Sequence, residues 1–281
     1  MKMEARLAEL NAPNTASTKK RRFTPNIFRP EKYLTLSTIV IVFAFWYGIT
    51  SLGIFSETII PSPASVWDSF LNILEKGYKG HTLLEHLGTS MQRLLWAYFL
   101  VVITAVPLGL LSGYNSKVKA ILEPIIEFYR PLPPLAYYTI LVLWLGIGEG
   151  SKLALLYLAG FAPVYIACVA GVMRIETDYI NGAKTLGANK LQIFCYVVFP
   201  AALTDIFTGL RTALGVEYTT LVAAEMVAAT AGMGWLVLDA SNYLRSDIVF
   251  MGVIIMGITG ILLDLILRLI EKETIHWKGK V

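Results

Sequence analysis

Charged residues are scarce in this chain. Only 16% of its 281 residues are Asp, Glu, Lys or Arg, whereas an ordinary soluble domain carries about 25%. Hydrophobic residues make up 56% and the mean hydropathy is +0.60, so a soluble protein of this length would expose a large apolar surface. The composition argues against a cytosolic enzyme, a nucleic-acid-binding protein and a disordered chain, and it indicates a protein that lies in the lipid bilayer.

Cysteine is almost absent, with Cys168 and Cys195 as the two instances. They form no disulfide framework and no CxxC metal pattern, and we interpret both as small packing residues. We also expect no cleavable signal peptide, because a long, mostly polar stretch precedes the first apolar run and no small-x-small cleavage site follows it. The first apolar run should therefore remain as a membrane anchor.

The motifs of common metal and nucleotide sites are also missing from the sequence. His81 and His86 do not have the HExxH spacing of a zinc protease. Gly182 and Gly187 have the first spacing of a phosphate-binding loop, but Ala188 follows them where Lys is required. We therefore expect no metal site, no cofactor and no catalytic residue on this chain.

Apolar runs of about 20 residues, the length that crosses a bilayer, predict the membrane spans. Four runs meet this criterion on hydropathy alone, at 34–54, 94–112, 153–172 and 248–267. With the two weaker segments described next, they predict an all-α membrane protein with six transmembrane helices and both termini on one side.

The two weaker spans carry prolines or charges. The segment 117–147 is interrupted by prolines within 131–134, which predicts two half-helices, 118–129 and 135–147, with an irregular joint. The segment 206–224 contains Arg211 and Glu217, and each central charge costs roughly 2.5–3.5 kcal/mol on insertion. This helix must therefore lie inside the bundle or along a water-filled path.

Positive residues lie mainly on one side of these spans. The basic block 19–22 belongs to that side, whereas Lys76, Arg93 and Arg245 lie on the other. The positive-inside rule makes the first side cytoplasmic. The expected order is a cytoplasmic N-terminal tail (1–33), an anchor helix (34–54), a periplasmic segment (55–92), a helical core (93–270) containing a cytoplasmic loop (173–200), and a cytoplasmic C-terminal tail (271–281).

Two short amphipathic helices are expected outside the spans. One begins at Pro63 and ends at Gly77, and its apolar face comprises Trp67, Phe70, Leu71 and Leu74. That face either packs on the bundle or docks another molecule. The second is a surface helix within the first dozen residues.

The loop 173–200 predicts a two-helix hairpin. Thr177 or Asp178 can cap a short helix that stops at a left-handed Gly187. Asn189 can cap a second helix, which runs towards the fifth span. The hairpin would lie at the cytoplasmic membrane surface.

Small residues indicate that another protein approaches this hairpin. Ile180, Ala183 and Gly187 are spaced to share one face. Gly182 lies within the first helix, where glycine costs roughly 0.5–1 kcal/mol relative to alanine. Close approach by a partner backbone would explain why glycine is present there, and the alternative is an ordinary loop.

This loop resembles the EAA motif of ATP-binding-cassette importer permeases. Asn181-Gly182-Ala183 stands at the triplet, Gly187 at the motif glycine and Pro200 at the apolar-proline end, although the first two triplet positions depart from the pattern. The resemblance extends from Pro61 to the end of the chain. Residues 130–152, 209–225 and 232–240 are similar to the nitrate/sulfonate/taurine branch.

The resemblance implies the type I ABC importer permease fold and a function in the bacterial inner membrane. It implies a translocation path for taurine, with an alkanesulfonate, nitrate or another small anion as the alternative. The implied partners are a second permease copy in a homodimer, ATPase subunits that bind ATP and Mg²⁺, and a periplasmic substrate-binding protein. The residues that it assigns to ATPase coupling are Asp178, Asn181, Gly182, Ala183, Lys184, Thr185, Gly187, Ala188 and Pro200.

Charged residues and glycines beside the later spans are the candidates for the path or its gate. They are Arg130, Arg211, Glu217, Glu225, Gly232 and Gly234. Each has an alternative role. Arg130 can pair with Glu127, Arg211 can bind an anion or pair with Asp205, and the two glutamates can pair, cap a helix or contact a substrate ammonium group. The glycines can act as hinges or form a plain turn.

Two other classes remain as alternatives. An ion-coupled secondary transporter would show inverted repeats and paired broken helices, whereas this chain has one broken span and no evident repeat. A membrane-embedded enzyme would show a catalytic constellation, and the sequence contains none that we recognise.

Overall fold

The computed structural model describes residues 30–276, with side chains from Tyr33 onwards. The predicted surface helix in the first dozen residues, the basic block 19–22 and residues 277–281 lie outside this part of the chain. Regular structure within the described residues is helical, apart from one isolated bridge between Tyr78 and His81. The all-α prediction is confirmed.

Eleven α-helices and one π-helical turn follow one another along the described residues. The π-helical turn is Phe194–Val198. The helices are α1 Pro30–Ser51, α2 Pro63–Lys76, α3 Leu83–Tyr114, α4 Ser116–Tyr129, α5 Pro134–Leu145, α6 Glu149–Met173, α7 Thr177–Thr185, α8 Lys190–Ile193, α9 Phe199–Ala228, α10 Met233–Asn242 and α11 Ser246–Thr274.

The predicted spans correspond to the long helices. Five helical segments of the described chain are long and apolar enough to cross a membrane: Tyr33–Ser51, Leu83–Tyr114, Glu149–Met173, Lys190–Ala228 and Ser246–Thr274. The second begins well before the predicted 94–112, so the last ten residues of the predicted periplasmic segment are helical. The boundary between two compact units lies within α1, after Phe45, and all that follows concerns the second unit.

The remaining predicted span is broken as expected. Helices α4 and α5 replace one continuous helix, with a joint between Arg130 and Pro133. Pro134 is the first residue of α5, a position where the missing N–H of proline costs no helical hydrogen bond. The five long segments and the broken segment of α4 and α5 are consistent with the predicted six spans.

Helices α3, α6 and α9 pack closely because small residues face one another. A Cβ at Gly109 of α3 would lie 2.6 Å from the Cβ of Cys168 on α6, and one at Gly209 of α9 would lie 2.4 Å from the Cβ of Ala167. Small residues are the usual means of close helix contact in membranes. Cys168 is a buried packing residue as predicted, whereas the same interpretation of Cys195 is wrong because Cys195 is exposed.

Helix α2 has the predicted ends but buries a different face. Ser62 caps its start and Gly77 ends it. The buried residues are Val66, Ser69 and Ile73, while Trp67 is 60% exposed. The Ser69 hydroxyl donates to Asp247 at 2.5 Å. The buried face of α2 therefore faces the start of α11. Of the predicted face, Trp67, Leu71 and Leu74 are exposed, whereas Phe70 is half-buried and packs against the core.

Candidate functional site

A two-helix hairpin, residues 177–193, joins α6 to the span that contains α9. Its first helix ends in a left-handed turn at Gly187, where φ is +83°. The Gly187 N–H donates to the Lys184 carbonyl at 2.9 Å, and the Ala188 N–H donates to the Ala183 carbonyl at 3.0 Å. This pair of closing hydrogen bonds requires a residue at positive φ, so Gly187 determines where the chain turns.

The starts of the two hairpin helices differ in how well they were predicted. The N-cap of α7 is Glu176, because its carbonyl already accepts the first helical hydrogen bond. Thr177 and Asp178, the predicted caps, therefore lie inside the first turn. The Asn189 cap of α8 is confirmed, and Asn189 and Gln192 exchange hydrogen bonds between side chain and backbone at 2.8 and 2.9 Å.

The two sides of the hairpin have different environments. Ile180, Ala183 and Ala188 pack against the bundle core. On the other side, Leu186 is 89% exposed and Tyr179 is 61% exposed. Large apolar side chains exposed on a short helix outside the spans are typical of a surface that another protein covers.

The remaining residues assigned to coupling are mostly exposed. Gly187 is exposed whereas Ile180 and Ala183 pack against the core, so the prediction that the three share one face is wrong. A Cβ at Gly182 would meet nothing within 4 Å in the described chain, so space inside the chain does not explain this glycine. The other exposed members are Asp178, Asn181, Lys184 and Thr185.

Pro200 lies at the start of α9 rather than on the exposed hairpin. Proline has no N–H to donate to the preceding turn, and a π-helical turn occupies the five residues that end at Val198. Within this turn the Phe199 N–H donates to the Phe194 carbonyl. We interpret Pro200 as a residue that connects the hairpin to the span.

At the opposite end of the bundle, Arg93 organises a buried ion-pair network. Its guanidinium donates to both carboxylate oxygens of Glu149, at 2.6 and 2.7 Å, and to Glu225 at 2.7 Å. Lys152 donates to Glu149 at 2.9 Å. Arg93, Lys152 and Glu225 are 6%, 4% and 0% exposed. Because buried charges are stable only when they are paired, the network holds α3, α6 and α9 together.

The Glu225 carboxylate of this network also caps helix α10. Glu225 accepts a hydrogen bond from the Gly234 N–H at 2.9 Å, and the Ser90 hydroxyl accepts one from the Met233 N–H at 2.9 Å. Ser90 in turn donates to Glu225 at 2.8 Å. The expectation that Glu225 pairs or caps is confirmed, since it does both.

The two glycines before α10 are required by close packing. Gly232 has φ +130°, and a Cβ there would lie 2.4 Å from a carboxylate oxygen of Glu225. A Cβ at Gly234 would lie 2.6 Å from the Val222 carbonyl. The glycines form a tightly packed turn, which favours the turn over the hinge alternative for this conformation.

The loop between α2 and α3 also contacts α10, through Tyr78 and Lys79. The Tyr78 hydroxyl donates to the Asp239 carboxylate at 2.8 Å. Burial and the neighbouring Asp239 carboxylate raise the pKa of the Tyr78 phenol, so the donor keeps its proton. Lys79 lies 3.8 Å from Asp239 and 4.2 Å from the ring centre of Tyr243.

Arg211 does form an ion pair, but with a different partner from the predicted one. Its Nε donates to Asp264 on α11 at 2.9 Å, and a second nitrogen lies 3.9 Å from Glu271. Asp205, the predicted partner, instead binds Arg174 at 2.9 Å. Asp205 and Arg211 are six residues apart on α9, which places them on different faces of that helix. The pairing with Asp264 depends on how α9 packs against α11, which the sequence does not show.

Glu217 contradicts the expectation that it pairs or caps. It is 0% exposed, and neither carboxyl oxygen has a hydrogen-bond partner in the described part of the chain. A Cβ at Gly160 of α6 would lie only 1.8 Å from one of these oxygens. The absence of a side chain at Gly160 therefore makes the space that Glu217 occupies.

Gly160→Ala should destabilise the bundle by about 1–3 kcal/mol, the usual cost of overpacking a core. The added methyl group would force the Glu217 side chain out of its position. Thermal unfolding of the detergent-solubilised protein measures this effect. The Gly160→Ala/Glu217→Ala double variant should be more stable than the sum of the single changes predicts. Simple additivity would show that the two residues are not in contact.

Arg130 and Glu127 do not form the predicted pair. Both are exposed, and the ion pairs found within residues 30–276 do not include them. Glu123 instead lies 3.3 Å from Lys119, one helical turn earlier. Arg130 keeps helical backbone angles at the end of α4, so helical spacing alone does not bring its side chain to Glu127.

A polar face of α9 was not singled out from the sequence. Thr208, Thr212, Gly215 and Thr219 are exposed on one side of this membrane-spanning helix. The Thr208 and Thr212 hydroxyls donate to the carbonyls four residues earlier at 2.9 Å. Polar residues in a span usually face protein or water. The four-residue repeat of threonine was the available signal, and Arg211 lies at the edge of the same face.

Comparison with known proteins places these features in a family context. The family described as binding-protein-dependent transport system inner membrane component matches residues 105–276. The chain is 41% identical over 249 residues to the taurine transport system permease protein TauC of Escherichia coli, a match that covers 88% of this chain and 90% of that protein.

More distant relatives and one solved structure also match the chain. The putative aliphatic sulfonates transport permease protein SsuC of Bacillus subtilis is 31% identical, with 88% of each chain covered. The nitrate import permease protein NrtB of Synechocystis is 28% identical, with 96% of this chain and 100% of that protein covered. A chain of the inward-facing MetNI methionine ABC transporter shares the fold, at a TM-score of 0.59 and 16% identity over 68% of this chain and 95% of that one.

Proposed function

Because the chain belongs to the family of binding-protein-dependent transport system inner membrane components, we propose that it forms the translocation path of an ATP-driven importer for taurine. The fold is that of a type I ABC importer permease. The observation that carries the substrate is the 41% identity to the taurine permease over most of both chains. Relatives that transport aliphatic sulfonates or nitrate support an alkanesulfonate or nitrate as the second candidate.

The hairpin 177–193 transmits the work of ATP hydrolysis. Its inward face is packed into the bundle through Ile180 and Ala183, while Leu186 and Tyr179 are exposed for a partner. A partner that binds the exposed face can therefore move the bundle, because the opposite face of the hairpin is packed against the bundle core. A driving subunit must bind the two permease states with different affinity, otherwise it cannot change their populations. The hairpin is where that difference acts.

The exposed face of α9 lines the path next to a second copy of the chain. Hydroxyls of Thr208, Thr212 and Thr219 would otherwise face hydrocarbon, where polar groups are unfavourable. Each hydroxyl donates its hydrogen to a carbonyl of α9, so the face is polar and uncharged, which suits a small solute that must bind weakly and leave. Arg211 lies at the edge of this face but is committed to Asp264. The burial of Glu217 and Glu225 favours structural roles for both.

The proposed assembly is a permease homodimer with two ATPase subunits and a periplasmic substrate-binding protein in the bacterial inner membrane. ATP and Mg²⁺ bind to the ATPase subunits, and the hairpin faces the cytoplasm together with both termini. The Arg93 network then lies at the periplasmic end. The positive-inside distribution of Lys and Arg supports this orientation.

Uptake into proteoliposomes tests the proposal. The chain is reconstituted with its ATPase and binding protein, and taurine, ethanesulfonate and nitrate are offered separately. We expect uptake of taurine that requires internal ATP and the binding protein and that persists when ionophores collapse the ion gradients.

The other outcomes separate the alternatives. Uptake of ethanesulfonate or nitrate, but not taurine, would keep the importer and change the substrate. Uptake that stops with ionophores and continues without ATP would support an ion-coupled secondary transporter and contradict the proposal.

A further inference from the structure

A small polar cavity opens between α3 and α6 beside the Arg93 network. Its volume is about 280 Å³, and the residues around it are Thr89, Gln92, Arg93, Trp96, Glu149 and Leu153. The cavity combines a buried guanidinium, a half-exposed carboxylate, an amide and an indole ring. Such a combination is suited to a small ligand that carries both charges.

An apolar groove continues from this cavity along α3. Gln92, Leu95, Trp96 and Phe99 surround a second space of about 420 Å³. Gln92 and Trp96 border both spaces, so the polar cavity and the groove are contiguous. Leu95, Trp96 and Phe99 are each more than half exposed in the chain, at 53%, 56% and 53%. A ligand that filled both spaces would have a polar end and an apolar end.

The depth of the two spaces fits a lipid. Glu149 is the first residue of the membrane-spanning helix α6, so the polar cavity lies where that span begins. Phe99 follows Arg93 by six residues on α3, which places it about 9 Å further along the helix. The polar end of the ligand would therefore lie at the interface with water, and the apolar end would extend into the hydrocarbon.

The hydrogen bonds around Glu149 indicate the charge of the ligand. Its Oε1 accepts from Arg93 and Lys152, whereas Oε2 accepts one bond from Arg93 within the described chain. The Glu149 side chain is 56% exposed, and each carboxylate oxygen can accept about two hydrogen bonds. Oε2 can therefore accept an N–H from a cation, and the face of Trp96 provides a second attraction for it.

Arg93 leaves one donor for the anionic part of the same ligand. Four of its five N–H groups bind Glu149, Glu225 and the Ala231 carbonyl. The fifth, on Nη2, is unused in the described residues, and the exposed Gln92 amide lies one residue earlier. We propose that this cavity binds the headgroup of a phospholipid with a primary ammonium group, such as phosphatidylethanolamine, while an acyl chain follows the groove along α3.

A lipid suits the site better than a soluble zwitterion because the polar cavity is continuous with an apolar groove. Taurine carries the same aminoethyl group and an oxyanion, but it has no apolar part to fill the space around Phe99. The two ligands therefore make different predictions for substitutions in the groove.

Native mass spectrometry of the complete transporter complex tests the site. The complex is equilibrated with mixed micelles that contain phosphatidylethanolamine or phosphatidylcholine with identical acyl chains. These lipids differ only in the methyl groups on nitrogen, so only the first donates N–H bonds to Glu149. We expect about fivefold greater retention of phosphatidylethanolamine, which is the size of one partly exposed ion pair.

Three substitutions and one control make the result specific. Trp96→Ala and Gln92→Ala should lower retention, and Glu149→Gln should remove the preference between the two lipids. Trp144→Ala on α5 is the matched control, because Trp144 is 78% exposed and lies outside both spaces. Gln92 and Trp96 are outside the ion-pair network, so these variants decide the test even if Glu149→Gln misfolds.

Three results would overturn the proposal. The first is equal retention of the two lipids by the wild-type protein. The second is a loss of phosphatidylethanolamine retention in the Trp144→Ala control that equals the loss in Trp96→Ala and Gln92→Ala. The third is displacement of phosphatidylethanolamine by millimolar taurine, which would assign the cavity to a soluble zwitterion.

Discussion

Gly187→Val should abolish ATP-driven uptake while the protein still inserts into the membrane. Gly187 has φ +83° at the end of α7, and a β-branched residue is strongly disfavoured at positive φ. The closing hydrogen bonds of Gly187 and Ala188 would be lost, and the two hairpin helices would change their relative direction. Because Gly187 itself is exposed, we expect loss of ATPase association rather than loss of the fold.

Gly182→Ala is the matched control for this variant. Gly182 has helical geometry, and a Cβ there would meet nothing within 4 Å in the described chain. Alanine should therefore preserve or strengthen α7. Reduced ATPase association in Gly182→Ala would indicate that a partner approaches this position closely. Normal association and uptake in Gly187→Val would contradict the coupling assignment.

Arg93→Ala should destabilise the permease by about 3–5 kcal/mol, the usual cost of removing one partner from a buried ion pair. Glu225 would remain buried with its charge uncompensated, because its other donors are the neutral Ser90 hydroxyl and the Gly234 N–H. The contact of Arg93 with the Ala231 carbonyl would also be lost. Thermal unfolding in detergent measures the loss of stability.

Two further variants separate charge from geometry. Arg93→Ala/Glu225→Gln removes the uncompensated charge and should recover part of the stability. Arg93→Lys keeps the charge but cannot bind both oxygens of Glu149 and reach Glu225 at once, so we expect an intermediate value. Wild-type stability in Arg93→Ala would show that the network does not hold the helices together.

The long helices and the hairpin turn could be predicted because their signals are local. Hydropathy located the spans, and the prolines around residue 133 located the break between α4 and α5. Gly187 and Asn189 predicted the hairpin turn and the second cap, since each acts on residues within one helical turn. Local chemistry is visible in a sequence because the interacting residues are neighbours.

The partners of the charged residues could not be predicted in the same way. Arg93 meets Glu149 and Glu225, which are 56 and 132 residues away, and this depends on how three helices pack. Burial of Glu217 depends on a single missing side chain at Gly160. Of the two alternatives for the apolar face of α2, the exposure of Trp67 favours docking of another molecule over packing on the bundle, a choice that depends on tertiary packing.

Photo-crosslinking from Leu186 tests the central claim that the hairpin is the coupling surface. A photoreactive amino acid replaces Leu186, which is 89% exposed, or Tyr243, which is 62% exposed and follows α10 on the opposite side of the bundle. We predict that the Leu186 position crosslinks to the ATPase subunit with a yield that changes with ATP, and that the Tyr243 position does not. Crosslinking to the ATPase from Tyr243 but not from Leu186 would contradict both the coupling assignment and the proposed orientation.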